Sequence, residues 1–225
     1  TWINELGAEW RNEAQVGRTS RLYSEFYQPF DYSDRFFIAP LAEVRQNMRY
    51  VYQDGDRIAE YRNRMLGGGS DVGYNLGTAA QVRAGLWWGR QDAECSTGDA
   101  DLPSFDVDRA AAHTRLVYDQ ADDAYFPRTG GYAEAEGWFE LEELGAEQTY
   151  DKVDFTLARA MSLGRHTIVP RVSAGLNFND ELPYYDRFAV GGFNTVPGYR
   201  PDELAGSQMV LGKLTYYYQL SRTTF

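Results

Sequence analysis

The sequence holds one cysteine, Cys95, and two histidines in 225 residues. A lone cysteine excludes an internal disulfide framework and a Cys-rich zinc site. His113 and His166 have no partner at metal-ligand spacing. Long apolar runs are missing too. No stretch approaches the ~18 consecutive apolar residues of a membrane helix, in keeping with a mean hydropathy of −0.54. Basic residues are also short: 22 Lys+Arg against 33 Asp+Glu leave a net charge of −11. That deficit excludes general nucleic-acid binding, which needs an excess of Lys and Arg to meet phosphates. No signal peptide precedes Thr1, as expected of a mature or excised fragment.

Catalytic motifs are likewise wanting. The run Gly67-Gly68-Gly69-Ser70-Asp71-Val72-Gly73 lacks the Lys-Ser/Thr of a phosphate loop. Val72 stands where a Gly-x-Ser-x-Gly elbow needs its second glycine. These glycines instead fit a bulge or a close backbone approach in a long strand. No nucleophile has a base at a recognisable spacing, so the chain is expected not to be an enzyme and to carry no cofactor. Acidic residues 92–108, with Asp99 and Asp101, lack the spacing of a calcium loop and read as a solvated loop.

What is present is aromatic residues, 15% of the chain, and a period of two. In Tyr132–Glu142 the residues Ala133, Ala135, Gly137, Phe139 and Leu141 lie on one face. Glu134, Glu136, Trp138, Glu140 and Glu142 lie on the other. A helix would scatter those glutamates; a strand aligns them. Around Arg171, Ile168, Val172, Ala174 and Leu176 alternate with Arg171, Ser173 and Asn177. The same pattern places Ala59, Tyr61 and Met65 opposite Glu60, Arg62 and Arg64. About ten strands follow, many of ~11–16 residues, longer than the usual ~5–6. Charges of both signs fill one face of strand after strand, while Ala, Val, Leu and aromatics fill the other. An antiparallel transmembrane β-barrel accounts for both faces, with lipid outside and a wet, charged lumen inside. Tight connections near 76–78 and 164–165 alternate with long ones near 92–108 and 179–207, as expected when short turns face one side of the membrane and long loops the other.

Two connectors are specific. Tyr118, Asp119, Asp123, Phe126, Pro127, Gly131 and Tyr132 form an acid-rich turn that re-enters a strand sharply. Phe188, Gly191, Gly192, Val196, Pro197, Gly198 and Tyr199 mark a long Gly- and aromatic-rich loop ending at Arg200. Together they resemble the BamA-type outer-membrane assembly and secretion superfamily, the bacterial surface antigen barrels, over most of residues 109–220. The resemblance implies a sixteen-stranded barrel in a Gram-negative outer membrane. It also implies a sixth outer loop folded into the lumen, where an Arg at its tip binds an acid of the wall. Pro197 occupies that Arg position here, so Arg200 is the candidate substitute, with Glu134, Glu136, Glu140 or Glu142 to receive it and Arg171 also on the wall.

Residues 1–64 resemble, more narrowly, the barrels of patatin-like phospholipases of type V secretion, through Leu6-Gly7-Ala8-Glu9-Trp10, Leu22-Tyr23-Ser24-Glu25-Phe26 and Phe37-Ile38-Ala39-Pro40. That resemblance implies a single barrel domain, 1–225, incomplete at both ends. It would secrete or display a covalent N-terminal passenger, a patatin-like lipase, through a POTRA module. The implied partners are outer-membrane lipids, lipopolysaccharide and the barrel assembly machinery. An assembly factor of the same superfamily and a passive porin or uptake channel are the alternatives. Phe225 does not fit the aromatic end of a barrel-assembly signal, because Thr223 and Ser221 break the alternation.

Overall fold

The computed structural model describes residues 3–53, 55–98, 104–179, 181–193 and 195–220. Asp99, Asp101, Asn194 and the terminal segment with Ser221, Thr223 and Phe225 lie outside them.

Alternating sequence becomes one antiparallel meander. Its strands are β1 (Glu9–Gln15), β2 (Thr19–Pro29), β3 (Phe36–Gln53), β4 (Asp56–Leu76), β5 (Ala80–Thr97), β6 (Phe105–Asp119) and β7 (Gly131–Glu140). The sheet continues through β8 (Tyr150–Arg159), β9 (Met161–Leu163), β10 (His166–Asn177) and β13 (Met209–Tyr218). A separate hairpin, β11 (Phe188–Val190) with β12 (Leu204–Gly206), belongs to the loop before β13. Neighbours in sequence are neighbours in the sheet, in the order β1 to β8, then β10 and β13, with β9 beside β10. β8 and β9 keep one register against β10, since Arg171 faces Ala158 and Ile168 faces Met161. They are therefore one strand interrupted at Ala160, and among the described residues the sheet has the expected ten or so strands. Among the described residues the sheet is open, with β1 and β13 at its edges.

The outward face carries a continuous apolar band. Leu66, Val72, Leu76, Leu86, Trp88, Leu116, Leu157, Val172 and Leu214 are all exposed on it. From Leu66 to Leu76 on β4 is ~33 Å along the strand at ~3.3 Å per residue, or ~25 Å of height at a ~40° tilt. That is the height of the apolar band on a membrane barrel.

The middle strands overrun the band: β3, β4 and β5 have 18, 21 and 18 residues. Beyond it the outward face turns charged, and here the sequence expectation is corrected. Ala59, Tyr61 and Met65 are buried on the inner face. Arg64 points outward, 3.8 Å from Asp92, and Arg90 lies 2.5 Å from Asp106. Above the band the outside is no longer apolar, so hydrophobicity there marks the inner face, where a loop covers it.

Two connections on the long-loop side, 15–19 and 53–56, are tight, and one on the short-turn side, 119–131, is long. The last of these braces itself. Asp122 accepts the backbone N–H groups of Arg128 at 2.7 Å and Thr129 at 3.0 Å, and Asp123 those of Tyr125 and Phe126 at 2.8 Å each. Its far side is tied to the sheet, because Arg128 donates to the Gly164 carbonyl and the Tyr217 hydroxyl to that of Pro127.

The glycines of β4 and β5 serve close approach, as expected for the Gly67–Gly73 run. A Cβ on Gly67 or Gly89 would collide with the Trp87 ring, and one on Gly73 with the Phe37 ring. The two rings therefore lie flat on bare backbone, which no other residue type permits.

Candidate functional site

The inner wall is a lattice of ion pairs between strands. Glu43 of β3 lies 3.0 Å from both Arg21 of β2 and, along its own strand, Arg45, and Arg115 of β6 lies 2.7 Å from Glu134 of β7. His113 sits between Asp71, at 3.5 Å, and Glu136, at 3.3 Å, with its ring 4.3 Å from that of Trp138. On the loop side, Arg109 donates to Glu140 at 2.5 Å and to Gln91 at 2.6 Å. The alternation that put these residues on one face of each strand also brings acids of one strand against bases of the next, so that the partly buried charges of the wall are paired.

Glu134, Glu136 and Glu140 thus lie on the wall, each already engaged by a wall residue. Glu142 does not: β7 ends at Glu140 and Glu142 opens an exposed 3-10 turn, Glu142–Leu144. The turn closes at Gly145, whose positive φ of 105° folds the chain back. Arg171 lies on the same face of β10 as the buried Thr167 and Asn177, and its own position is exposed.

The long loop between β10 and β13 crosses this wall. Its descending limb is buried: Leu182 is fully covered, and Tyr185 and Phe188 nearly so. Tyr184 packs on Tyr61 of β4 at 5.5 Å, Tyr185 on Phe105 of β6 at 6.2 Å. Phe188 lies under the Lys152 ammonium at 4.7 Å and against Gly175, where a Cβ would overlap its ring. Between these aromatics sits Asp186. Its carboxylate receives the Tyr150 hydroxyl at 2.6 Å and Arg109 Nη2 at 3.1 Å, with Lys152 Nζ at 3.4 Å. Burial pushes the Asp186 carboxyl up, but Arg109, then Lys152 and the Tyr150 hydroxyl, outweigh it and hold it well below the ordinary carboxylate range.

The returning limb is fastened at a distant point. Asp202 pairs with Arg18 beside β2 and accepts the Tyr50 amide of β3 at 3.4 Å, while Arg49 of β3 donates to the Arg187 carbonyl at 2.8 Å. The loop therefore bridges β3 and β4 to β6 and β8 over the interior.

The motif residues form the outer part of the loop. Gly191, Gly192 and Gly198 take positive φ values of 140°, 90° and 109°, and a Cβ on Gly191 would strike the Arg200 carbonyl. Thr195 Oγ1 closes this turn on the Gly191 carbonyl at 2.6 Å, and the Gly192 amide donates to the Tyr199 carbonyl at 2.9 Å. Val196 is half-buried, whereas Pro197, Tyr199 and Arg200 are exposed. The Arg200 amide donates to Glu203 at 2.6 Å, and Glu134, Glu136 and Glu140 have the wall partners given above. The anchor on the wall is an acid of the loop's base, with the bases supplied by the wall. Sequence reading missed Asp186 because an isolated acid in an aperiodic stretch has no spacing to betray it. Its one available signal was its place among Leu182, Tyr184, Tyr185 and Phe188, a density of large side chains that water would not reward.

A profile of the Omp85 superfamily domain matches residues 5–223. Among solved structures, the chain is similar to BamA from Haemophilus ducreyi lacking POTRA domains 1–3. That likeness has a TM-score of 0.77 at 12% identity and covers 98% of this chain and 49% of that one. The chain thus spans about half the length of the BamA structure it matches. With the meander, the apolar band and the loop laid across a charged wall, the profile match over nearly the whole sequence shows that this chain belongs to the Omp85 superfamily.

Proposed function

We propose that the chain is the barrel of a Gram-negative outer-membrane protein that inserts or secretes other polypeptides, integral to that membrane through its apolar band. The observation that carries this reading is the lumen loop, tied to β3, β6 and β8 at separate points. A strap bonded at several points across the interior supports a conduit for polypeptide, which has to stay closed to small solutes at rest.

Two forms of the activity share this geometry. In the first, the barrel assembles other outer-membrane proteins as part of the barrel assembly machinery, and superfamily membership supports it. In the second, it anchors and secretes a covalent N-terminal passenger, a patatin-like lipase carried through a POTRA module. The motifs in residues 1–64 support that form. On either form the barrel itself is not an enzyme and needs no cofactor, its lipid partners are those of the outer membrane including lipopolysaccharide, and nucleic acid is not a partner.

The test uses the full-length protein in proteoliposomes. An assembly factor speeds the folding of a second, urea-unfolded barrel protein into the same vesicles. A passenger anchor leaves that rate unchanged and displays its own N-terminal segment to added protease. Ester hydrolysis by the barrel alone should match buffer. A large, steady ionic conductance with neither activity would sink both forms and leave the porin.

A further inference from the structure

Beyond the wall, three features concentrate polar groups: the exposed charges above the apolar band, the cleft beside the 119–131 turn and the lumen loop. The charged band pairs internally, as Arg90 does with Asp106, and the carboxylates of the turn are consumed by its own amides. The loop's base is different, because one residue collects three partners from two strands.

We infer that Asp186 is the positioning residue that holds the loop in the lumen, a lock in which the loop supplies the acid and the wall supplies the bases. Three observations carry it. Asp186 lies between Tyr184 and Phe188, which pack on opposite sides of the wall, one on Tyr61 and the other beside Lys152. Its carboxylate joins β6 to β8 by reaching Arg109 on one and Tyr150 and Lys152 on the other. Arg109 is itself held by Glu140 and Gln91, so the base that receives Asp186 is fixed before the loop arrives. Such preorganisation favours docking at this point, since Arg109 does not have to be ordered when the loop arrives. The side chains are largely withdrawn from solvent, at 10% and 16% exposure for Arg109 and Asp186, so salt screens the pair far less than it does an exposed one.

The lock rests on the proposed reading only for its consequence in conductance, not for its existence. The test is made on full-length protein in planar bilayers and proteoliposomes, with heat-modifiable gel mobility reporting that each variant has folded. Asp186→Asn and Asp186→Ala should raise single-channel conductance severalfold and open the peptide bond after Arg187 to trypsin added from the loop side. Asp186→Glu should restore both readouts most of the way. Tyr150→Phe, which removes one hydrogen bond and leaves the charges, should give an intermediate effect. Arg90→Ala removes an ion pair of the outer face and should change neither readout. Loop cleavage without a rise in conductance would keep the lock and overturn the conduit reading. Wild-type conductance and wild-type trypsin resistance in folded Asp186→Asn and Asp186→Ala would overturn the lock. If those two variants do not fold, wild-type behaviour of Tyr150→Phe overturns it.

Discussion

Arg83 of β5 reaches Glu25 of β2 across two intervening strands, placing Nη1 2.6 Å from Oε2. Its guanidinium passes over the Phe37 ring, 5.0 Å from the centroid. The two side chains are only 8% and 4% exposed. The bond is possible because the backbone it crosses is bare: Gly73 carries the Phe37 ring, and Gly85 leaves room beside Asp71. The pair ties strands three apart and so helps to hold the curvature of the sheet.

Removing one partner of such a pair leaves a buried charge, a loss of about 3–5 kcal/mol in general. Glu25 keeps the Tyr23 hydroxyl at 2.8 Å and Arg11 at 3.5 Å, so Arg83→Ala is expected near the lower end, about 3 kcal/mol. Urea unfolding of the barrel in lipid vesicles measures it. A loss no larger than that of an exposed pair, such as Arg90 with Asp106, would show that the lumen there is fully wet.

The flat rings predict an asymmetry among glycines. Gly73→Ala drives a methyl into the Phe37 ring and should cost ~1–3 kcal/mol through overpacking. Gly212→Ala on β13 meets open space and should be neutral or slightly stabilising. Heat-modifiable gel mobility ranks the two. Equal midpoints would mean that the ring does not rest on the glycine.

The apolar band fixes where charge is tolerated. Val72→Arg, at mid-height on the outward face of β4, should destabilise by ~2–4 kcal/mol in a bilayer. The same arginine in place of Glu60, beyond the band, should be nearly neutral. Equal effects of the two would place the membrane elsewhere on the sheet.

Acid should loosen the 119–131 turn. The amide of Thr129 on Asp122, and those of Phe126 and Tyr125 on Asp123, favour the charged carboxylates and hold both below their ordinary pKa. Their contribution is whole above the unfolded-chain value of ~3.9 and is lost as pH falls through the lower folded values. Hydrogen-exchange protection of the Phe126 and Thr129 amides should therefore drop between about pH 5 and about pH 2. Constant protection over that range would relieve the carboxylates of this role.

The strands were legible because side-chain alternation is a backbone property that survives any tertiary context. The faces were legible only inside the apolar band. Tyr61 looks lipid-facing by hydrophobicity alone, yet it lies above the band, where the outside is wet and Tyr184 covers the inside. Glu142 was misplaced by extending the alternation past Glu140, where β7 ends and a 3-10 turn begins. Asp186 was invisible for a related reason: its partners Arg109, Tyr150 and Lys152 lie on β6 and β8, and long-range pairing of an aperiodic loop leaves no local trace.

The rings that lie flat on β4 and β5 also restrict how this sequence can drift. Phe37 needs glycine at 73, and Trp87 needs it at both 67 and 89. A larger residue at any of these sites becomes acceptable only after the facing ring has shrunk, and a shrunken ring leaves a void that only a larger residue fills. Positions 37 and 73 should accordingly change together or stay as they are, and so should 87 with 67 and 89. Each ring and its glycines behave as one inherited unit: Phe37 with a glycine of the next strand, and Trp87 with one of the neighbouring strand and one of its own.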